Sequence, residues 1–270
     1  MEKLSRPLRL TTLQSPNSEF IPEAVAGYLA ERLERKVDFV ADISWQDREA
    51  QLDEGEIDIA WICGLPYTWK AGKADAQVVL LAAPVMAGGR YGGRPVYFSD
   101  VVVRQDSRFD SFDDLRGASW AYNEQGSQSG YNITRWTLAQ MGEFQDYFGG
   151  VVQSGAHEES LRMILAGHID ASAIDSTVLE IELRKHPELE KEIKVIDKWG
   201  PSPIPPYVIS LGLPVELRQQ IRALMLDMAR TPEGAEIMAE AQMLAFTSVR
   251  DKDYDAIRGM EKLAENVTLA

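Results

Sequence analysis

A chain of 270 residues with 45% apolar and 26% charged side chains can build one large core or two ordinary ones, which excludes a mainly disordered polymer. A formal net charge of -14, with no Lys/Arg run, excludes the usual electrostatic surface for nucleic acid, although a small anion can still be held locally by oriented hydroxyls and backbone N–H groups. Cys63 is the single cysteine, and His157, His168 and His186 are not at ligand spacing, so no disulfide, metal site or cofactor is expected.

The first seven residues contain no apolar stretch of signal-peptide length, and no run of about 18 apolar residues follows. The chain reads as soluble and unexported, with a cytoplasmic location as an expectation. Residues 8–13 alternate as a strand, the segment Gln14-Ser15-Pro16-Asn17-Ser18 breaks it, and apolar periodicity over 21–33 predicts a helix. A strand at 37–40, a helix at 45–52 and strands at 57–62 and 78–84 come next, with Cys63 ending the third strand as a packing residue. Strands alternating with helices predict a parallel sheet covered on both faces.

The pattern then restarts. A strand at 97–104, a short capped helix at 111–117 and a strand at 119–122 lead into a polar loop at 123–130. Further on come a helix through Trp136 to Met141, an extended stretch at 151–154, a helix at 157–166 and a strand at 169–174. Residues 193–196 and the proline-dense segment 200–207 read as extended, a path that suits a crossover between lobes. Helices over 214–229 and 232–245 close the chain, the second opened by Thr231 as cap and Pro232 at its first position.

Three polar clusters follow strands in this second half. In Gln125-Gly126-Ser127-Gln128-Ser129-Gly130-Tyr131, hydroxyls and backbone N–H groups gather where a helix begins, a composition that serves a helix cap or an anion site equally well. No Lys-Ser/Thr follows the glycines as in a phosphate-binding P-loop, and Gln128 stands where a nucleophile elbow needs serine. His157 opens the next helix, where it is either a surface residue or a donor to an oxyanion. Asp175-Ser176-Thr177 ends the strand after that, where a cap or a ligand contact would sit.

Five segments in register, Asp58 to Tyr67, Tyr97 to Arg104, Asp114 to Gly117, Ser127 to Gly130 and Gly155 to Glu158, resemble the phosphate, phosphite and phosphonate solute-binding proteins of ABC importers over roughly residues 8–250. The resemblance implies an α/β type II periplasmic-binding-protein fold with two α/β lobes and a ligand cleft between them. It divides the chain into a first lobe of 1–98 plus 206–270 and a second of 99–205, with crossovers near 97–104 and 200–207. A binding protein rather than an enzyme is implied, the expected partners being a small anion and an ABC permease, the chain itself a monomer, and its location periplasmic despite the missing leader.

Position by position, Ser127, Gln128 and Ser129 match the hydroxyl-rich loop that grips the oxyanion, with Gln128 in place of a hydroxyl residue and Gly130 closing the loop. His157 matches a histidine ligand and Tyr97 an aromatic hydroxyl from the first lobe. Ser15, Gly64 and Tyr67 belong to loops lining the cleft, and Asp175 and Ser176 fall where a polar residue faces the ligand. In relatives that bind an aminoalkyl group, an acidic residue follows Ser-Pro-x-x-Pro. Here Pro206 and Tyr207 stand there, which disfavours an amine, while Trp61, Tyr122 and Tyr207 imply a more aromatic cleft and keep a sulfonate or carboxylate as the alternative ligand. Two rivals remain, a cytoplasmic or sensor-associated ligand-binding protein for a small organic anion and a Ser129/His157/Asp175 hydrolase.

Overall fold

The structure is a computed structural model that describes residues 6–269; the outer ends of the expected lobes, residues 1–5 and 270, lie outside the described residues. Its elements in chain order are β1 (Leu8–Thr12), α1 (Phe20–Leu33), β2 (Val37–Val40), α2 (Trp45–Asp53), β3 (Ile59–Trp61), α3 (Gly64–Ala71), β4 (Val78–Met86) and β5 (Val96–Arg104). They continue with β6 (Ser119–Tyr122), α4 (Ile133–Met141), β7 (Gly150–Gln153), α5 (His157–Leu165), β8 (Ala171–Asp175), α6 (Ser176–Lys185) and β9 (Ile193–Pro203). The last are β10 (Tyr207–Ser210), α7 (Val215–Asp227), α8 (Pro232–Glu240), β11 (Met243–Thr247) and α9 (Asp255–Leu263). Among the described residues no helix is long and apolar enough to cross a membrane.

The chain separates into two compact units. The first takes the described residues through Val96 together with Ile204–Tyr254; the second takes Tyr97–Pro203 and the described residues from Asp255 onward. In the first unit six strands run in the order β11-β4-β10-β3-β1-β2. The central strands are buried on both faces, and α1 covers them with Ile21, Val25, Tyr28 and Leu29, the i, i+4, i+7, i+8 stripe that its periodicity predicts.

The sheets correct the expectation of parallel strands. β1 lies parallel to β2 and β3, but β10 is antiparallel to both β3 and β4, and β11 is antiparallel to β4. In the second unit, ordered β7-β6-β8-β5-β9, β6 is parallel to β7 and β8 while β5 runs antiparallel to β8. The reversed strands β5 and β10 begin next to the two boundaries between units, where the chain enters a sheet without a preceding helical crossover, so a parallel direction is not imposed on them.

Two further differences have physical causes. The proline-dense segment is not all crossover: β9 continues through Pro203 at the edge of its sheet, a position that needs no ladder donor on its outer side. The helix expected over 232–245 stops at Glu240. Gln242, in the left-handed region at φ 53, turns the chain, and the apolar residues Met243 and Phe246 enter β11 as buried strand positions. Cys63 likewise lies past β3, half-buried at the residue before α3.

The C-terminal segment, expected with the first lobe, belongs from Asp255 onward to the second unit. On α4, Arg135 explains the attachment, donating from Nε to the Val267 carbonyl at 2.9 Å and from a terminal nitrogen to the Ala264 carbonyl at 2.6 Å. Val267 and Leu269 join the aromatic core of that unit, where Trp120 stacks on Phe148 at 4.6 Å and Phe112 meets Trp199 edge-on at 4.8 Å. Arg135→Ala is expected to destabilise the second unit by roughly 1–3 kcal/mol, because two carbonyl acceptors lose a charged donor. Hydrogen exchange should show faster opening of residues 264–268 with β6 unaffected; uniform protection in the variant would refute the attachment.

Candidate anion site

β6 ends in the second unit at Tyr122, and the polar loop leads into a single π-turn, Gln128–Asn132, that runs directly into α4. Ser127 caps this turn: its Oγ accepts from Gly130 N at 2.9 Å. Ser129 Oγ lies 3.4 Å from Ser127 Oγ and 3.0 Å from His157 Nε2. Ser127, Ser129, Gly130 and His157 are therefore brought together, all of them buried. Gly130 is required for steric reasons, since a Cβ there would overlap Asn123 Oδ1 and stand 3.2 Å from His157 Cε1.

His157 is the first residue of α5 and is 4% exposed. Burial holds its pKa down at about 3, so at neutral pH the imidazole carries one proton. Its Nδ1 is buried without a hydrogen-bond partner among the described residues. A buried orphan donor costs more than an orphan acceptor, so the proton belongs on Nε2, which donates to Ser129 Oγ. Both serine oxygens then have an internal N–H donor, Gly130 for Ser127 and His157 for Ser129, and of the two hydroxyl hydrogens one at most is taken up by the 3.4 Å Ser127–Ser129 contact. An arrangement with two hydroxyl donors at the start of a helix suits an oxyanion without any cationic side chain.

Gln128 is engaged elsewhere. Its Oε1 accepts from Asn132 Nδ2 at 2.7 Å, and its Nε2 lies 3.4 Å from Ser202 Oγ and 3.2 Å from Met260 Sδ, which ties the turn to β9 and α9. Asp175 caps α6: its Oδ1 accepts from Thr177 N at 2.8 Å and Thr177 Oγ1 at 2.7 Å. Burial raises its carboxyl pKa to about 6, against the opposing pull of the Thr177 hydrogen bonds. Ser176 Oγ accepts from Phe98 N at 3.1 Å and fastens α6 to β5. Tyr97, expected on the first lobe, opens the second unit, buried in β5. Tyr122 packs on Tyr131 with ring centroids 4.8 Å apart.

The first unit holds the other expected positions. Ser15 precedes a 3-10 turn, and its carbonyl accepts from Ser18 N and Oγ at 3.0 and 2.7 Å. Gly64 opens α3, and Tyr67 in the same helix donates to Asp251 Oδ1 at 2.8 Å while packing against Tyr254. Trp61 and Tyr207 stack at 5.5 Å with an interplanar angle of 6°, and Trp61 Nε1 donates to the Pro205 carbonyl at 3.0 Å. Two polar atoms that sequence reasoning did not single out, Gln14 Nε2 in the first unit and Asn123 Oδ1 in the second, are buried with no hydrogen-bond partner among the described residues. Each stands one or two residues past the end of a central strand, which is the signal that marks them.

The family model for ABC transporter phosphonate periplasmic substrate-binding proteins matches residues 14–254. The chain belongs to this family. It is 24% identical over 215 residues to the phosphonates-binding periplasmic protein of Escherichia coli (strain K12), an alignment covering 78% of this chain and 62% of that relative's length. Its fold is similar to the binding protein component of an ABC phosphonate transporter from Pseudomonas aeruginosa, with a TM-score of 0.84 at 19% identity over 97% of this chain and 87% of that one. It is also similar to a Prochlorococcus marinus protein solved in complex with methylphosphonate, with a TM-score of 0.83 at 16% identity over 96% and 98% of the two chains. The architecture of this member of the phosphonate-binding family is thus the two-lobed α/β fold of periplasmic binding proteins.

Proposed function

We propose that this protein captures a small phosphorus oxyanion, of the phosphonate or phosphite type and without an amine, and delivers it to an ABC permease as a monomeric periplasmic binding protein. The observation that carries the reading is the buried pair of serine hydroxyls whose oxygens are already occupied by Gly130 N and His157 Nε2, so that one hydrogen is uncommitted and the other, held only in the 3.4 Å Ser127–Ser129 contact, can turn to an acceptor-only ligand. The family match and the relatives' ligands support the phosphorus class. Pro206 and Tyr207 in place of a carboxylate support the absence of an amine, because Tyr207 is fully buried and burial pushes its hydroxyl pKa well above the usual value.

A hydrolytic role finds no support in the geometry. Ser129 and His157 are paired, but the carboxylate of Asp175 receives Thr177 and His157 Nδ1 has no partner among the described residues, so the third member of a triad is not on the histidine. Capture needs no bond to be made or broken: a ligand with higher affinity for one arrangement of a protein shifts its population toward that arrangement.

Thermal unfolding in the presence of methylphosphonate, phosphite, phosphate, 2-aminoethylphosphonate, sulfate, methanesulfonate and acetate tests this reading. A ligand at 100-fold over its Kd adds about 2.7 kcal/mol to stability, and the shift is expected for phosphorus oxyanions lacking an amine. A larger shift with 2-aminoethylphosphonate than with methylphosphonate would overturn the amine-free assignment. Stabilisation by methanesulfonate or acetate alone would transfer the site to organic anions.

A further inference from the structure

We propose that Asn123 is a positioning residue of the anion site, holding the hydroxyl turn and His157 at their working separation. The inference rests on the oxyanion reading for its ligand but on ligand-free geometry for its observation. Asn123 is the residue after β6, and its main chain ties the strand end to the approach to α5: Gly155 N donates to the Asn123 carbonyl at 3.0 Å, alongside Ser154 N to the Tyr122 carbonyl at 2.8 Å. Its side chain reaches the other loop. The point where a Gly130 Cβ would stand is filled by Asn123 Oδ1, with Asn123 Cγ and His157 Cε1 each 3.2 Å away.

One side chain therefore touches Gly130, between the two donor serines and α4, while its own backbone holds the segment that presents His157. Oδ1 is buried and has no conventional donor among the described residues, so its contacts here are with carbon-bound hydrogens. A buried carbonyl retained without a conventional donor, set against Gly130 by its side chain and tied to the segment before His157 by its backbone, is accounted for by placement. The separation of Ser129 Oγ and His157 Nε2 depends on the two loops keeping their spacing, and Asn123 joins them, by its side chain at Gly130 and by its carbonyl at Gly155.

Coupling between positions 123 and 130 tests the proposal on the whole chain. Gly130→Ala is expected to lower the ligand-free Tm, because the new methyl meets Asn123. Asn123→Ala removes the obstacle, so the double variant should recover most of that loss; losses that simply add would overturn the inference. With only three histidines in the chain, the His157 Cε1–H resonance can be assigned by substitution, and it should move in Asn123→Ala without ligand. An unmoved resonance would also overturn it. Methylphosphonate affinity in Asn123→Ala should fall about ten-fold with the variant still folded, within the range expected for residues coupled through contact. Failure of the native chain to bind any phosphorus oxyanion would sink the anion-site reading, while the ligand-free cycle would still decide whether Asn123 holds Gly130 and His157.

Discussion

Ser129→Ala is expected to weaken methylphosphonate binding by about 10- to 150-fold, the equivalent of losing one hydrogen bond to a charged group worth roughly 1.5–3 kcal/mol. Two losses coincide at this position. The ligand loses a hydroxyl donor, and His157 Nε2, 3.0 Å from the missing oxygen, loses its acceptor inside a site where the ring is buried. Ser127→Ala should cost less in ligand contact but more in fold, because Ser127 Oγ also caps the π-turn through Gly130 N. The decisive comparison is the double variant Ser129→Ala/His157→Ala. If His157 acts through Ser129, the histidine change adds little once the serine is gone. Calorimetric Kd values for the native protein, both single variants and the double variant give the coupling directly. Fully additive losses would mean that His157 meets the ligand itself, as the family resemblance implies, and that the proton assignment to Nε2 is wrong.

The fold is legible in the sequence because hydrophobic periodicity survives in a single chain. The stripe of Ile21, Val25 and Leu29 locates α1, and the apolar runs at β3 and β8 locate buried strands. Elements whose signal is weaker than their context escape such a reading. β10 is four buried residues after a segment with four prolines, and α6 begins immediately at the residue after β8, so its cap reads like a strand end. α9 carries a single buried apolar residue, Ile257, and its attachment through Arg135 is a tertiary fact that no local pattern announces. In the site, the serines and His157 can be named because their residue types match a known composition, but their partners cannot. Whether Gln128 faces a ligand or the interior depends on Asn132, Ser202 and Met260, which arrive from three different elements. Asp175 is legible as a cap at a strand end, and its bonds to Thr177 are local, while the engagement of Ser176 with Phe98 follows only from the packing of α6 on β5.

The combined contribution of His157 and Asp175 to the stability of the ligand-free protein is expected to be nearly independent of pH between about 4 and 6, and Asp175→Asn is expected to make it rise with pH over that same window. His157 has its folded pKa lowered from 6.5 to about 3, so between those values the unfolded chain binds the extra proton and stability increases with pH. Asp175 has its folded pKa raised from 3.8 to about 6, so between those values the folded protein binds the extra proton and stability decreases with pH. Each group contributes a slope of about 1.4 kcal/mol per pH unit, with opposite sign, and in the native chain the two offset. Asparagine keeps the helix cap, since its Oδ1 can still accept from Thr177 N, and removes only the titration. The variant should therefore gain roughly 3 kcal/mol more than the native protein between pH 4 and 6. Chemical denaturation at half-unit pH steps measures both curves, and parallel curves would show that the buried carboxyl does not titrate as stated. The same variant separates two roles for Asp175. β8 packs beside the π-turn, so a carboxylate charged at neutral pH works against an anionic ligand in the same unit. Asp175→Asn should then bind methylphosphonate at least as tightly as the native chain at pH 7, whereas a large loss of affinity would return Asp175 to direct contact with the ligand.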